Sequence, residues 1–212
     1  MWEGPRCGPS FLMEDGTMWD LAQDMRIRKA YGGLDRSLFM EEHRELAGVD
    51  APAPIGWGQT ISQPSLVLRM TLMLLPEPDS RVLEIGTGSG FQTALLSLVC
   101  GQVYTVERLE PLYSRARTRL MKMGYGNISF RLGDGSRGWP QEAPFDRILV
   151  TAAARDIPAA LSEQLGPGGI LLIPVGSPGL QQLIRLIRSP SGELLREELD
   201  LVRFVPLVEE ED

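Results

Sequence analysis

The most distinctive stretch of this sequence is a glycine-rich segment, LEIGTGSG, with glycines at Gly86, Gly88 and Gly90. It follows a short apolar run and precedes a run with helical spacing, which is where a doubly wound α/β fold binds phosphates or nucleosides. The dinucleotide fingerprint needs its third glycine one position later, where this chain has Phe91. The spacing therefore favours a nucleoside ligand over a pyrophosphate.

Three carboxylates accompany this loop along the predicted carboxyl edge of a sheet. Glu84 ends the strand before the loop, Glu107 ends the next strand, and Asp134 follows the third strand in the sequence GDG. An acid after the second strand can take up ribose hydroxyls, whereas an acid beside the loop would repel a pyrophosphate. The set suits a ligand with a positive charge, a ribose and an adenine amino group, and S-adenosylmethionine has all three. The alternative for each acid is a helix cap or a solvated loop residue.

The other reactive side chains are few. His43 is the single histidine, and the cysteines are Cys7 and Cys100. A zinc site of ordinary ligand type would need more of both, and histidine-driven nucleophilic catalysis would depend on His43 alone. We therefore expect no metal and no imidazole chemistry. Cys100, at the end of an apolar helix, is predicted to be a core residue.

The composition is that of an ordinary globular protein, with 212 residues, 43% hydrophobic and 23% charged. No apolar run is long enough to span a membrane, the N-terminus does not resemble a signal peptide, and two cysteines do not make a disulfide framework. Because the formal net charge is −7, nucleic acid is a disfavoured partner, and the basic residues at 115–122 are expected on a solvated helix face. A cytoplasmic location is the expectation.

Strands and helices alternate after residue 76, and the apolar strands predict a parallel sheet covered on both faces. The tail differs. Strand-like runs at 180–188 and 201–207 are separated only by SPSGELLREELD, a spacing that suits an antiparallel ribbon better than another crossover unit. The predicted parallel strands cover residues 81–85, 103–107, 128–132, 145–153 and 170–176.

The part before this sheet is expected to be smaller and helical. Residues 1–19 mix Gly, Pro and Met without periodicity and are predicted to be a poorly ordered arm. Residues 20–75 are predicted to be an N-terminal helical segment, and residues 76–212 the ligand-binding domain. The polar stretch GQTIS ends at Ser62, which fits a helix N-cap because Pro64 follows in the first turn.

Together these segments resemble the protein-L-isoaspartate (D-aspartate) O-methyltransferase family. The similarity is carried by PIGWGQTISQP, VLEIGTGSGFQTALLS, YTVER, the long segment from GDGSRGWP to LLIPVG, and VRFVPL, and it covers roughly residues 35 to 208. The resemblance implies a class I S-adenosylmethionine-dependent methyltransferase. This is an α/β, Rossmann-like fold with a mostly parallel twisted sheet and antiparallel C-terminal strands, here with a small helical N-terminal segment.

The resemblance also implies roles for individual residues. The polar stretch would fold over the cofactor and supply the active-site Ser62. Thr151, Pro174 and Val175 would border the peptide cleft together with Ser62. The residues implied to bind S-adenosylmethionine are Gln59, Thr60, Ile61, Glu84, Gly86, Gly88, Ser89, Glu107, Arg108, Asp134, Gly135 and Gln182.

The implied reaction is methyl esterification of the carboxylate of an isoaspartyl or D-aspartyl residue in a protein or peptide, which leads through a succinimide to repair of aspartate. Carboxyl pKa values lie near 4, so the acceptor is already ionised at neutral pH and requires no general base. Orienting the oxygen in line with the methyl group can contribute on the order of 7–11 kcal/mol. For Ser62, an N-cap role and a hydrogen bond to the acceptor carboxylate are both compatible with the sequence.

The sequence departs from the family pattern before Pro54. Family members usually carry R-x-x-F-V-P, where this chain has DRSLFMEE, and the N-terminal arm has no identifiable counterpart. A dedicated enzyme that esterifies one aspartate of a ribosomally made peptide, to form an aspartimide, is therefore an alternative to general repair. A non-catalytic S-adenosylmethionine-binding protein is a second alternative, against which the intact acids and Ser62 argue. A monomer is the default expectation.

Overall fold

The computed structural model describes residues 10–12 and 18–208. Within these residues, the N-terminal part holds two antiparallel strand pairs, besides helices and 3₁₀ turns at Arg36–Phe39 and Arg44–Leu46. The pairs are β1 (Ser10–Leu12) with β2 (Met18–Asp20) and β3 (Ala53–Gly56) with β4 (Gln59–Ile61). Part of the expected irregular arm is thus strand, and the rest of that arm lies outside the described residues. The elements are β1 (Ser10–Leu12), β2 (Met18–Asp20), α1 (Leu21–Gly32), β3 (Ala53–Gly56), β4 (Gln59–Ile61) and α2 (Pro64–Leu74).

The elements after α2 build the central sheet, which has seven strands within the described chain. They are β5 (Arg81–Ile85), α3 (Phe91–Val99), β6 (Gln102–Glu107), α4 (Glu110–Lys122), β7 (Ile128–Leu132), β8 (Phe145–Val150), α5 (Ala159–Glu163), β9 (Leu165–Val175), β10 (Gln181–Arg188) and β11 (Leu194–Val202). The strand order is β11-β10-β9-β8-β5-β6-β7. β5 to β9 run parallel, and β10 pairs antiparallel with both β9 and β11. The predicted mostly parallel sheet with an antiparallel end is confirmed.

The second strand of the tail begins earlier than predicted. β11 starts at Leu194, so the polar stretch expected to connect two strands is itself paired with β10, and the predicted strand at 201–207 contributes only its first two residues. The acidic residues of β11 are tolerated because the strand lies at the sheet edge, where Glu197 forms an ion pair with Arg185. β9 likewise begins before residue 170, and β8 ends before residue 153.

The stretch PIGWGQTIS forms a β-hairpin that was not predicted. β3 and β4 flank a tight turn at Trp57 and Gly58, whose φ angles are 51° and 70°. Two successive left-handed residues are typical of two-residue hairpin turns, and glycine adopts this conformation without strain. Ala53 and Ile61, which pair across the hairpin, are both buried. The N-terminal segment is therefore a mixture of helix and hairpin.

Helix α2 begins after Ser62, and Ser62 is not its N-cap. Gln63 occupies that position, with Pro64 in the first turn as expected. The carboxylate of Asp50 accepts the backbone N–H of Ser65 (2.8 Å) and the side-chain amide of Gln63 (2.9 Å). Because Asp50 caps the first turn from outside the helix, the Ser62 hydroxyl is not needed there, and it forms no hydrogen bond within the described residues.

A buried arginine holds the chain that leads into α2. The guanidinium of Arg36 donates to the backbone carbonyls of Leu46, Ala47, Val49, Ala51 and Ser62. Phe39, three residues on, is buried and packs edge-to-face on Phe91, with ring centroids 5.3 Å apart. The segment DRSLFMEE thus keeps the arginine and phenylalanine of the family pattern, and Met40, in place of valine, is also buried.

The N-terminal segment and the sheet share a hydrophobic core. One buried cluster joins the two parts. It contains Ile27 of α1, Phe39 of the first 3₁₀ turn and Ile61 of the hairpin, together with Phe91 and Leu95 of α3. Helix α3 directly follows the glycine-rich loop. The hairpin is therefore mounted on the same helix that positions the predicted ligand loop.

Candidate active site

A cleft of about 870 Å³, including its open mouth, lies at the carboxyl ends of β5 and β6, between the glycine-rich loop and the β3–β4 hairpin. We call it cavity A. The predicted site residues that line it are Gln59, Thr60, Ile61, Ser62, Gly86, Gly88, Ser89, Glu107, Arg108, Gly135 and Thr151.

The glycine-rich loop packs tightly against Thr151. Gly86, Gly88 and Gly90 have φ angles of 97°, 54° and 84°. A Cβ atom on Gly86 would lie 2.4 Å from the Thr151 Oγ1 atom, and the Thr151 hydroxyl lies within hydrogen-bond distance of the carbonyls of Ile85 (2.9 Å) and Gly86 (2.8 Å). The close approach requires glycine at position 86, and Thr151 fixes the start of the loop.

Glu107 organises the edge of cavity A with both of its carboxylate oxygens. One oxygen accepts the N–H of Gly88 and the other accepts the N–H of Leu109, each at 2.9 Å. The residue is buried, yet it lines the cavity. Each carboxylate oxygen has a further lone pair, so Glu107 can still accept hydrogen bonds from the two hydroxyls of a ribose.

Asp134 shapes the turn that presents Gly135 to cavity A, and Asp134 itself does not line the cavity. Its Oδ1 atom accepts the N–H and the hydroxyl of Ser136 at 2.8 Å, and its Oδ2 atom lies 3.6 Å from Nε of Arg137. A Cβ atom on Gly135 would lie 2.3 Å from Cγ2 of Ile85. The lack of a side chain lets this turn close against the end of β5.

Glu84 does not reach cavity A, contrary to the expectation that it contacts the cofactor. It is fully buried, and its Oε2 atom accepts the hydroxyls of Thr93 and Thr105 at 2.6 Å each. The Thr105 hydroxyl also lies 2.6 Å from that of Thr87 in the glycine-rich loop. Because β5 is covered on both faces, this acid is turned towards α3, where it supports the loop through threonines.

Burial raises the pKa of Glu84 to about 8 from 4.5, against the opposing effect of its hydrogen bonds from Thr105 and Thr93. Between these two pH values the folded protein keeps a proton that the unfolded chain has released, so this group makes stability fall as pH rises. Glu84→Gln cannot ionise. We therefore compare the free energy of unfolding of the variant with that of the wild type at each pH. From pH 5 to pH 8 this difference should shift in favour of Glu84→Gln by about 3 kcal/mol.

Denaturant unfolding of both proteins at pH 5, 6.5 and 8 measures this difference, because every other titrating group is common to the two. Parallel stability curves would show that Glu84 is ionised in the folded protein throughout this range.

Trp57 fixes the tip of the hairpin to α4. Its ring is 46% exposed and covers the guanidinium of Arg115, 4.5 Å from the ring centroid. Arg115 also forms an ion pair with Glu41, which pairs in turn with Arg119 at 3.2 Å. Arg119 donates to the Ser89 carbonyl of the glycine-rich loop at 2.8 Å. These contacts connect the two walls of cavity A.

A second cleft, cavity B, adjoins cavity A and measures about 1650 Å³ including its open mouth. Its walls come from the start of α2, the turn between β9 and β10, and the chain after β11. The residues that line both cavities are Thr60, Ser62, Thr151, Val205 and Pro206. A ligand in cavity B would therefore meet a ligand in cavity A across this shared wall.

The structure does not bring three expected residues, Pro174, Val175 and Gln182, to either cavity. Val175 and Gln182 pair with each other in the β9–β10 ladder. The side chain of Gln182 donates to the Leu199 carbonyl at 2.6 Å, and the carbonyl of Pro174 accepts the N–H of Ala154. Strand pairing and these hydrogen bonds occupy the three residues, which lie outside the linings of both cavities.

The end of the described chain is a part of the site that was not predicted. Residues Val205, Pro206, Leu207 and Val208 line cavity A, and the first three are held beside Ala153 by backbone hydrogen bonds and a parallel bridge. The sequence signal for this part of the site was the segment VRFVPL, which was interpreted only as a strand and as a family motif. The other lining residues without a predicted role are Val67, Ile85, Thr87, Phe91, Gln92, Val106, Leu109, Leu112 and Ala152.

Across residues 10–12 and 18–208, no group of three or more His, Cys, Asp or Glu side chains is placed to hold a metal ion. Cys100 is buried, as predicted, and burial raises the pKa of its thiol to about 12. No helix in the described part of the chain has the length and apolar character needed to cross a bilayer. The arrangement is thus a cleft at the glycine-rich loop with one acid, Glu107, at its edge, adjoining a larger neighbouring cleft.

Comparison with known proteins agrees with this arrangement. The family model described as Protein-L-isoaspartate(D-aspartate) O-methyltransferase matches residues 11–212. A Myxococcus xanthus protein named protein-L-isoaspartate O-methyltransferase is 53% identical over 189 residues, which cover 87% of this chain and 89% of the relative. A Vibrio atlanticus protein of the same name is 48% identical over 200 residues, covering 94% and 93%. The family model thus matches from residue 11, whereas the resemblance recognised in the sequence began at about residue 35.

Solved structures show the same fold. A Plasmodium falciparum crystal structure, described as a protein-L-isoaspartate O-methyltransferase in complex with S-adenosyl-L-homocysteine, superposes with a TM-score of 0.77 at 23% identity. It covers 87% of this chain and 91% of that chain. A second structure, named protein-L-isoaspartate O-methyltransferase, also has a TM-score of 0.77, at 25% identity, covering 87% of this chain and 61% of that chain.

Proposed function

The chain belongs to the protein-L-isoaspartate(D-aspartate) O-methyltransferase family, and we propose that cavities A and B divide the reaction of this family between them. That reaction is S-adenosylmethionine-dependent methyl esterification of isoaspartyl carboxylates in proteins and peptides. Cavity A would hold S-adenosylmethionine, and cavity B would hold the segment that carries the isoaspartyl residue. The observation that supports this division is the wall of Thr60, Ser62 and Thr151 that lines both cavities.

The residues of cavity A fit S-adenosylmethionine. Glu107 has carboxylate lone pairs for the ribose hydroxyls, and its position after the second strand of the parallel unit is where such an acid binds ribose. The backbone at Gly86 and Gly88 carries no side chain and leaves space for the methionine part. Gly135 and Leu112 also line cavity A and would contact the adenine.

When bound, the cofactor would supply a methyl group to the acceptor oxygen, and its sulfur would keep the electron pair of the carbon–sulfur bond that breaks. The acceptor carboxylate has a pKa near 4 and is already ionised at neutral pH. No residue has to remove a proton, and His43 lies outside the linings of both cavities. The task of the chain is therefore to orient the carboxylate and to exclude water.

Ser62 is the residue to which we assign the positioning of the acceptor carboxylate. It is half-buried in the shared wall, and its hydroxyl forms no hydrogen bond within the described chain. Its carbonyl accepts from Arg36 at 3.2 Å, which fixes the backbone at this point. Since Asp50 already occupies the first turn of α2, the Ser62 hydroxyl, and not the helix N-terminus, is the donor for the substrate.

Ser62→Ala should lower kcat/KM for an isoaspartyl peptide by about tenfold or more, because a hydrogen bond to a charged group contributes roughly 1.5–3 kcal/mol. Cofactor affinity and thermal stability should stay close to wild type, since Ser62 caps no helix. Steady-state kinetics and thermal unfolding measure the two effects. Ser114→Ala, on the exposed face of α4 and outside the linings of both cavities, is the matched control and should change little. An unchanged kcat/KM in Ser62→Ala would remove this role from Ser62.

We further propose general repair as the biological role. Its support is the similarity to several relatives named protein-L-isoaspartate O-methyltransferase over most of their length. Efficient turnover of unrelated isoaspartyl peptides would distinguish this role from a dedicated enzyme for one ribosomally made peptide. A non-catalytic protein would bind the cofactor and transfer no methyl group to any carboxylate.

A further inference from the structure

Cavity B has a lining of one charge sign. Its described residues include two arginines, Arg69 and Arg203, and no aspartate or glutamate, although the protein as a whole has a formal net charge of −7. Much of the remaining wall is apolar, with Leu66, Leu180 and Phe204 among its residues. Apolar walls concentrate the field of the charges they hold, so the cleft attracts anionic groups.

The two arginines are not equivalent. Arg69 forms an ion pair with Asp200, which compensates its charge. Arg203 has no carboxylate partner within the described residues, and its Nε atom donates to the Gly179 carbonyl at 2.7 Å. This bond holds the side chain against the turn between β9 and β10 and leaves both terminal Nη groups without protein acceptors in the described chain. A guanidinium fixed at Nε with free Nη donors is suited to bind a carboxylate.

We propose that Arg203 is a specificity-determining residue that binds an acidic side chain close to the isoaspartyl residue of the substrate, so that the enzyme prefers acidic flanking sequences. The inference rests on the proposed function, because it places the peptide in cavity B. Arg203 is two positions from Val205 of the shared wall, a span of about 7 Å in an extended chain. An acidic residue one or two positions from the acceptor is therefore within its reach.

The group that Arg203 binds is the flanking acid and not the acceptor carboxylate. A direct ion pair with guanidinium would hold the electron pairs of the acceptor oxygen that must attack the methyl group. Ser62, a neutral donor on the shared wall, orients the acceptor without such a full opposite charge.

Three peptides with the same isoaspartyl residue, flanked on both sides by two residues of Glu, Gln or Lys, test the assignment. Wild-type kcat/KM at low ionic strength should fall in the order Glu, Gln, Lys, by about threefold per step, which is the scale of solvent-accessible ion pairs. Arg203→Gln should make the three values similar, and Arg203→Glu should reverse the order. Salt should compress the wild-type differences. Arg196→Glu, an equal charge change on the exposed edge strand outside both cavities, should keep the wild-type order.

Arg203→Gln with the wild-type order would overturn the proposal. An equal loss on all three peptides would also overturn it, since that result would mean that Arg203 binds the acceptor itself. If the wild type methylates none of the peptides, the proposed function fails. In that event, peptide binding measured by fluorescence anisotropy with S-adenosylhomocysteine present must still follow the order Glu, Gln, Lys for the assignment of Arg203 to stand.

Discussion

Glu107→Gln is expected to weaken the binding of S-adenosylhomocysteine by about tenfold to a hundredfold. In the wild type, the two carboxylate oxygens accept the N–H groups of Gly88 and Leu109. An amide offers one acceptor oxygen, so its NH₂ group would face one of these N–H donors, and a ribose hydroxyl would lose a charged partner. Each hydrogen bond to a charged group contributes roughly 1.5–3 kcal/mol, and about 1.4 kcal/mol corresponds to a factor of ten.

Titration calorimetry of both proteins with S-adenosylhomocysteine measures the loss. Glu110→Gln is the matched control, because that acid lies three positions away on the exposed start of α4 and lines neither cavity. Its affinity should equal that of the wild type. Equal affinity in Glu107→Gln would mean that the ligand does not lie at the end of β6, and the assignment of cavity A would fail.

Arg36→Met is expected to destabilise the protein by about 3 kcal/mol and to lower kcat/KM as well. The buried guanidinium is shared by five carbonyls, three of them between residues 46 and 49, and the substitution leaves all five without this donor. One of the five belongs to Ser62, so the change also loosens the backbone that carries the positioning hydroxyl. Methionine is of similar length and keeps the packing, which isolates the hydrogen bonds.

Urea unfolding gives the stability change, and kinetics on an isoaspartyl peptide well below the unfolding transition gives the activity change. Arg44→Met is the control, since Arg44 is exposed and donates to the Met40 carbonyl. It should cost much less. If Arg36→Met lost stability without any change in kcat/KM, the arginine would support the fold but not the placement of Ser62.

The central sheet was largely predictable because its parallel strands are short apolar runs between turn residues, and β7 has the predicted bounds. The hairpin was not, because its strands are short, the first contains Pro54 and the second is largely polar. Its turn depends on the left-handed conformation of Trp57, which few non-glycine residues adopt. The start of β11 was missed because an edge strand can carry charges that a central strand cannot.

For the site, the motifs predicted a set of residues of which most line cavity A, whereas burial and distant contacts place the others elsewhere. Glu84 is in a strand covered on both faces, and only the fold shows that it faces threonines and not cavity A. The sequence suggested Ser62 as the cap of α2, but the cap comes from Asp50, which lies before the β3–β4 hairpin in the chain. Gln182 is engaged by Leu199 of a strand whose pairing register could not be read from the sequence.

Transfer of a labelled methyl group from S-adenosylmethionine to a peptide with one isoaspartyl residue tests the proposed site and activity most directly, with the same peptide containing ordinary L-aspartate as the control. The expected result is alkali-labile label, as a methyl ester, on the isoaspartyl peptide alone, formed more slowly by Ser62→Ala. Binding of the cofactor without ester formation on the isoaspartyl peptide, or label that resists alkali because it lies on nitrogen, would contradict the account.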